Sequence, residues 1–154
     1  MVILCVGHRM PAWIREGFQE YARRMPPEIR IEVTELKPEE RGPGRSVERA
    51  RQAEGERLLA ALPAGAELIA LDERGQSVST QKLSEMLAGW MRETVTPAFA
   101  IGGADGLAQA VRDRARMVVS LSTMTLPHGL VRVLLAEQLY RAWSILARHP
   151  YHRE

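Results

Sequence analysis

The chain has 154 residues, 45% of them hydrophobic, and a net charge of +2. That length suits one domain with one core. No apolar run approaches the ~20 residues of a membrane span, and a single cysteine, Cys5, excludes a disulfide framework and makes the cytoplasm the expected compartment. The net charge gives no broad basic face. Even so, 19 of the 21 basic residues are Arg, whose planar fork suits phosphate and stacks on bases, and residues 101–154 hold seven Arg and three of the four His against four acids.

Met1-Val2-Ile3-Leu4-Cys5-Val6 has neither a basic lead nor a small-residue cleavage site, so it reads as a first strand with Cys5 as a buried small hydrophobe, not as a signal peptide. Trp13, Gly17, Phe18 and Tyr21 fall on one face at helical spacing and predict a helix over 13–25, stopped by Pro26-Pro27. Ile29, Ile31 and Val33 alternate with charged neighbours, as in a half-exposed strand over 29–36. Residues 37–45 form a polar loop. Ser46 is placed to cap a helix over 47–62. A strand over 67–71 follows, then a helix over 80–92 capped by Thr80, a strand Pro97–Ile101, a short helix over 107–115, a strand over 117–121 and a long helix over 130–147. This alternation predicts an α/β fold: a mostly parallel sheet of five to six strands with helices on both faces. The last helix is apolar nearly all round (Leu130, Val131, Val133, Leu134, Leu135, Leu139, Tyr140, Trp143, Ile145, Leu146), which predicts burial of a second face against another copy of the chain.

In open α/β sheets ligands bind beyond the carboxyl ends of the strands. Three loops with distinctive residues leave such ends. Leu71-Asp72-Glu73-Arg74-Gly75 is the first. Ile101-Gly102-Gly103-Ala104-Asp105-Gly106 is the second, with glycines that let backbone approach a ligand. It follows the fourth strand rather than the first and has no acidic residue about 20 positions on, so it does not fit a dinucleotide fingerprint. The third, Ser120 to Gly129, sets apolar Leu121, Met124 and Leu126 among hydroxyls and backbone, which suits an adenine ring. The terminal His149-Pro150-Tyr151-His152-Arg153-Glu154 joins an aromatic ring, two imidazoles and an Arg, a set able to stack on a base and touch phosphate. No metal site is expected, because His149 and His152 have no cysteine partner, and Ser122 with His128 lacks a nucleophile-elbow sequence.

Met10-Pro11-Ala12-Trp13, Gly17-Phe18, Glu20-Tyr21, Gly55-Glu56, Leu71-Asp72, Ile101-Gly102-Gly103, Gly106-Leu107 and Ser120-Leu121-Ser122 resemble the ribosomal RNA large subunit methyltransferase H family of the SPOUT superfamily. Most specific are Thr125-Leu126-Pro127-His128, Val131-Arg132-Val133-Leu134, Glu137 to Ser144 and the terminal six residues. The resemblance spans the whole chain. It implies a trefoil-knotted domain and a homodimer through the C-terminal helix. It also implies S-adenosylmethionine as methyl donor and methylation of N3 of a pseudouridine in helix 69 of 23S rRNA on the assembled ribosome. By matching position, Leu71, Gly102, Gly103, Ser122, Thr123, Met124, Thr125, Leu126 and Pro127 would contact the donor, and His128, Arg141, Tyr151, His152 and Arg153 would face the nucleotide. Ala104-Asp105 and the 37–45 loop depart from the family pattern. The competing readings are a non-catalytic ribosome-associated factor and a nucleotide-binding oxidoreductase, which would bind NAD.

Overall fold

The computed structural model describes residues 1–154 except His8, Arg45 and Glu154. Arg45 at the end of the expected polar loop and Glu154 at the end of the expected tail therefore lie outside the described residues. Five strands, β1 (Val2–Val6), β2 (Glu32–Leu36), β3 (Glu67–Ser77), β4 (Pro97–Ile101) and β5 (Met117–Ser120), form one sheet in the order β2-β1-β4-β3-β5, and every pairing is parallel. β4 is buried at every position because helices cover both of its faces, which is why its sequence is continuously apolar rather than alternating. β2 lies at one edge and keeps Glu32 and Glu35 toward water.

Five helices flank the sheet: α1 (Ala12–Ala22), α2 (Val47–Ala60), α3 (Thr80–Glu93), α4 (Gln109–Arg114) and α5 (His128–Leu146). One face carries α1, α5 and α3 over Ile3, Cys5, Ile69, Phe99, Ile101 and Val119, with Phe18, Leu87, Leu135 and Leu139 filling the gap. The opposite face carries α2 and α4, which bring Leu58 and Val111 down on Leu4, Val6, Leu68, Ala98 and Ala100. Alternate residues of each strand thus serve opposite cores. α2 and α4 meet closely at Gly55, where an added Cβ would come within 2.6 Å of the Ala108 Cβ. Cys5 is fully buried, as expected, and burial pushes its thiol up to about 11.

The structure adjusts several sequence expectations. Ser46 caps α2, accepting from the Arg49 N–H at 3.3 Å. The cap of α3, in contrast, is Ser79 and not Thr80. Ser79 has the extended backbone a cap requires and accepts from the Lys82 N–H at 3.1 Å. Thr80 is already helical, and its hydroxyl donates to Gln138 of α5 at 2.7 Å. α5 begins at His128, two residues earlier than the apolar pattern suggested, directly after Pro127. Its all-round apolarity is largely met within one chain, since α1 and α3 flank it and the sheet lies beneath. Leu130 and Leu134 remain half-buried, Leu146 is exposed, and on α1 Trp13 is 59% exposed.

β3 is the largest departure. It was expected to stop at Leu71 but runs to Ser77, because after a register shift Gln76 and Ser77 pair again with Val119 and Ser120 of β5. The charged residues between these two pairings hide the strand from a hydrophobicity pattern. Gly75 is what permits the crossing. A Cβ there would sit 2.6 Å from the Val119 carbonyl carbon and 2.7 Å from its nitrogen. Backbone cannot yield as a flexible side chain can, so Gly75→Ala is expected to cost at least the ~1–3 kcal/mol typical of overpacking. Urea denaturation of the variant measures this. A midpoint matching wild type would show that the crossing tolerates a methyl group.

Candidate functional site

The three loops singled out in the sequence converge beyond the carboxyl ends of β3, β4 and β5. They enclose a cavity of about 660 Å³, within the usual range for small-molecule sites. Residues 71–74 form one wall, 101–106 a second, and most of 119–128 the third, with Arg51, Arg112 and Val131 completing it.

The 102–106 wall is a tight reversal. The Gly106 N–H donates to the Gly103 carbonyl at 3.1 Å, and Gly106 adopts φ +77°. A Cβ on Gly102 would lie 2.5 Å from the Gly106 carbonyl carbon, so the turn closes only with glycine there. The 119–128 wall is held by its own hydroxyls. Ser120 donates to the Ser122 carbonyl at 2.6 Å, the Met124 N–H donates to the Ser122 Oγ at 2.9 Å, and Thr125 donates to Glu73 at 2.9 Å. With these hydroxyls engaged, the wall offers the cavity apolar surface from Leu121 and Leu126 and backbone polar groups.

Ion pairs fix the polar side. Arg112 donates to Asp72 at 3.0 Å and to the Leu107 carbonyl at 2.7 Å, while Asp72 also accepts from the Arg74 N–H at 3.0 Å. Of the residues expected at the donor, Leu71, Gly102, Gly103, Ser122, Met124, Thr125, Leu126 and Pro127 line the cavity; Thr123 is exposed and does not.

The residues expected at the nucleotide divide into two groups. His128 lines the cavity. Burial, reinforced by the charge of Arg132, holds its imidazole below the ordinary histidine value. Arg132 itself is 4% exposed; it donates to the Gly7 carbonyl and to Glu35, each at 2.6 Å, and so ties the first turn of α5 to the ends of β1 and β2.

Arg141, Tyr151, His152 and Arg153 do not line the cavity. Arg141 lies thirteen positions beyond His128 on the same helix, about 20 Å along its axis. α5 ends with Arg148 in the left-handed region (φ 53°), and the His149 N–H returns to the Ser144 carbonyl at 2.8 Å. This turns the tail, a 3-10 segment Pro150–Arg153, back onto the helix.

There one Glu137 oxygen accepts from the Arg141 Nε at 2.7 Å and from the Tyr151 hydroxyl at 3.1 Å. The Arg141 guanidinium sits 4.7 Å from the Tyr151 ring centre, which itself packs 4.8 Å from that of Tyr140. Burial first, then bonding to Tyr21 and Glu137, pushes the Tyr151 phenol well up, so it stays protonated and donates. The two tail imidazoles face backbone: the His149 Nδ1 accepts from the Tyr151 N–H, and the His152 Nδ1 donates to the His149 carbonyl. Among the described residues no group of three His, Cys, Asp or Glu is placed to hold a metal ion.

Sequence reading gave no role to Arg51, Arg112 or Arg132, although Arg132 stands within one of the most specific motifs. A lone charge on an apolar helix turn was the available signal for Arg132. The other two are specified only by tertiary approach.

The family model described as "Predicted SPOUT methyltransferase" matches residues 1–152, and the chain belongs to that family. This is the superfamily to which the motifs pointed. The chain is 58% identical, over 99% of its own length and 98% of the relative's, to the ribosomal RNA large subunit methyltransferase H of Ralstonia pickettii (strain 12J). The same three values hold for the protein of that name from Burkholderia multivorans (strain ATCC 17616 / 249). It also resembles the crystal structure of the SpoU methyltransferase AviRb from Streptomyces viridochromogenes in complex with the cofactor AdoMet. That match has a TM-score of 0.48 and 15% identity, over 92% of this chain and 57% of that one.

The lowered His128 value has a testable sign. In the unfolded chain the imidazole takes up a proton near its ordinary value of about 6.5; in the fold it does so only at lower pH. Stability is therefore lost as pH falls through that window. Urea midpoints at about pH 7.5 and about pH 5.5, on either side of the ordinary value, should differ more in wild type than in His128→Gln. Equal acid losses in the two proteins would contradict the assignment.

Proposed function

We propose that this chain transfers a methyl group from S-adenosylmethionine to large-subunit ribosomal RNA, at N3 of a pseudouridine in helix 69 of 23S rRNA, on the assembled ribosome. Residues 1–154 act as one methyltransferase domain in the cytoplasm; among the described residues no helix is long and apolar enough to cross a membrane. The observation that carries this reading is the 660 Å³ cavity with a glycine wall, in a chain of SPOUT methyltransferase sequence.

The residues present fit the donor. Leu71, Ile101, Leu121 and Leu126 offer an apolar slot for an adenine ring, the 121–127 backbone offers its hydrogen bonds, and the glycine turn lets main chain approach the sugar. Bound there, S-adenosylmethionine supplies an electrophilic methyl on a sulfonium centre, so the protein's task is mainly alignment. An imide N3–H attacks only once its proton has left. Arg141 and Arg153 lower its pKa by stabilising the imide anion. Either His128, kept neutral by burial, or His152 takes the proton.

This assignment requires two protomers, since Arg141, with the tail packed against it, lies about 20 Å along α5 from His128 and does not line the cavity of its own chain. Leu130, Leu134, Glu137 and Arg141 recur at helical spacing along α5, with Leu130 and Leu134 half-buried. An antiparallel pairing of two such helices about a two-fold axis near Leu134 sets His128 of one chain opposite Arg141 of the other. The active site is then composite, with donor loops from one protomer and the tail from its partner. The trefoil knot belongs to the same reading. It is supported by the 72–77 segment crossing over the end of β5 at Gly75, β5 being the strand that leads into α5. A net charge of +2 suits recognition of an assembled particle over tight holding of free RNA.

Four measurements test the reading. Calorimetry with S-adenosylmethionine should show binding, whereas NAD should give none. Mass spectrometry of rRNA from a deletion strain should lack one methyl on a helix 69 pseudouridine and regain it with this gene. Mixing a chain deleted after Ala147 with a Gly102→Ala chain should restore turnover that neither shows alone; mixtures as inactive as the parents would sink the composite site. The pH dependence of single-turnover methylation in His128→Ala and His152→Ala identifies the base, and unchanged rates in both would exclude a histidine.

A further inference from the structure

Glu54 on α2 is 2% exposed, yet none of the chemistry above uses it. A buried carboxylate is costly unless its lone pairs are met by donors. Here they are met by a segment distant in sequence. Oε1 accepts from the Glu39 N–H at 2.8 Å and from Arg41, and Oε2 accepts from the other Arg41 nitrogen at 3.1 Å. The same guanidinium reaches on to the glycine turn, donating to Asp105 Oδ2 from Nε at 3.0 Å and from a terminal nitrogen at 2.7 Å. Bonding to Glu54 and then Asp105 drives the Arg41 value up, against the opposing effect of burial. Below the same turn, Glu54 Oε2 lies 3.1 Å from where a Cβ on Gly103 would stand, so the glycine admits the carboxylate. Asp105 and Gly103 line the cavity; Glu54 and Arg41 do not.

We propose that Glu54 and Arg41 are positioning residues for the methyl donor. The Glu54–Arg41–Asp105 chain holds the 102–106 turn in the shape that accepts the donor, and it makes the Glu39–Arg41 stretch the outer brace of that wall. The inference rests on the donor reading above. The mechanism is a population effect. Without the brace, the turn occupies its receptive shape only part of the time, and apparent affinity falls by that fraction while the shape itself is unchanged. Saturating donor then restores the full rate.

Calorimetry and steady-state kinetics on the full-length wild type, Arg41→Gln, Glu54→Gln and Asp105→Asn proteins test this, with S-adenosylmethionine as titrant. Each variant is expected to bind the donor roughly tenfold more weakly, the scale set by loss of a supporting shell. Donor KM should rise in parallel, with kcat at saturating donor and RNA KM unchanged in Arg41→Gln and Glu54→Gln, whose side chains stay outside the cavity. Arg41→Gln combined with Glu54→Gln should be no worse than either alone, because both break one linkage. Arg41→Gln keeps the test open if loss of the buried carboxylate impairs folding. Folded variants whose donor affinity matches wild type, or whose kcat falls while donor KM holds, would overturn the inference. Wild-type protein that binds no S-adenosylmethionine would overturn the donor reading itself, a distinct result.

Discussion

Two stretches of backbone touch at Gly75 and Val119 with no side chain between them, and the arrangement of the site depends on that contact. Because β3 passes over the end of β5, the residues between its two pairings, Asp72 to Gly75, are carried above the sheet instead of away from it. They meet the 119–128 segment there, and Glu73 can take the Thr125 hydroxyl. The Gly102–Gly106 reversal applies the same device on the neighbouring strand. Removing Cβ atoms at these points yields walls made largely of main chain. Beside the ion-paired side chains of Asp72 and Arg112, such walls add neutral main-chain donors and acceptors, which suits a ligand carrying both charges and a heteroaromatic ring.

α5 joins this cavity to a chemically different region. Its first turn is anchored by a guanidinium that the fold buries at some cost. Arg132 offsets that cost with Glu35 and the Gly7 carbonyl. Its last turns carry an aromatic cluster of Tyr140, Trp143 and Tyr151 bound through Glu137 to Arg141. A helix apolar on three sides is stiffly seated, so the separation between its two ends is a fixed length within one chain. That length keeps Arg141 apart from His128 within one chain.

The elements were legible in the sequence wherever one residue pattern matched one environment. The central strand Pro97–Ile101 is an example, since burial on both faces leaves a plain apolar run. So is Ser46, whose hydroxyl stands directly before helical periodicity. Legibility failed where pairing overrides pattern. The second half of β3 is charged and carries Gly75, so nothing local marks it as strand; only its partner does. Thr80 and Ser79 are equally good caps by composition, and backbone angles decide between them. The three loops of the cavity were readable because strand ends announce themselves. That the tail would stand apart from them was not readable from the residues, because it depends on where α5 ends and how Arg148 turns the chain. The Glu54–Arg41–Asp105 chain was likewise invisible, since its members lie far apart in sequence and none belongs to a motif.

Cys5 lies on β1, fully buried beneath α1 and α5, with its thiol raised to about 11. Thiolate, the form that reacts with maleimides and iodoacetamides, is therefore scarce and shielded at neutral pH. A cysteine introduced anywhere on the surface becomes the one labelling position of the folded chain, with no native residue to be removed first. Spin or fluorescent reporters can thus be set singly on the tail or on the 102–106 turn, in a background that is already chemically silent.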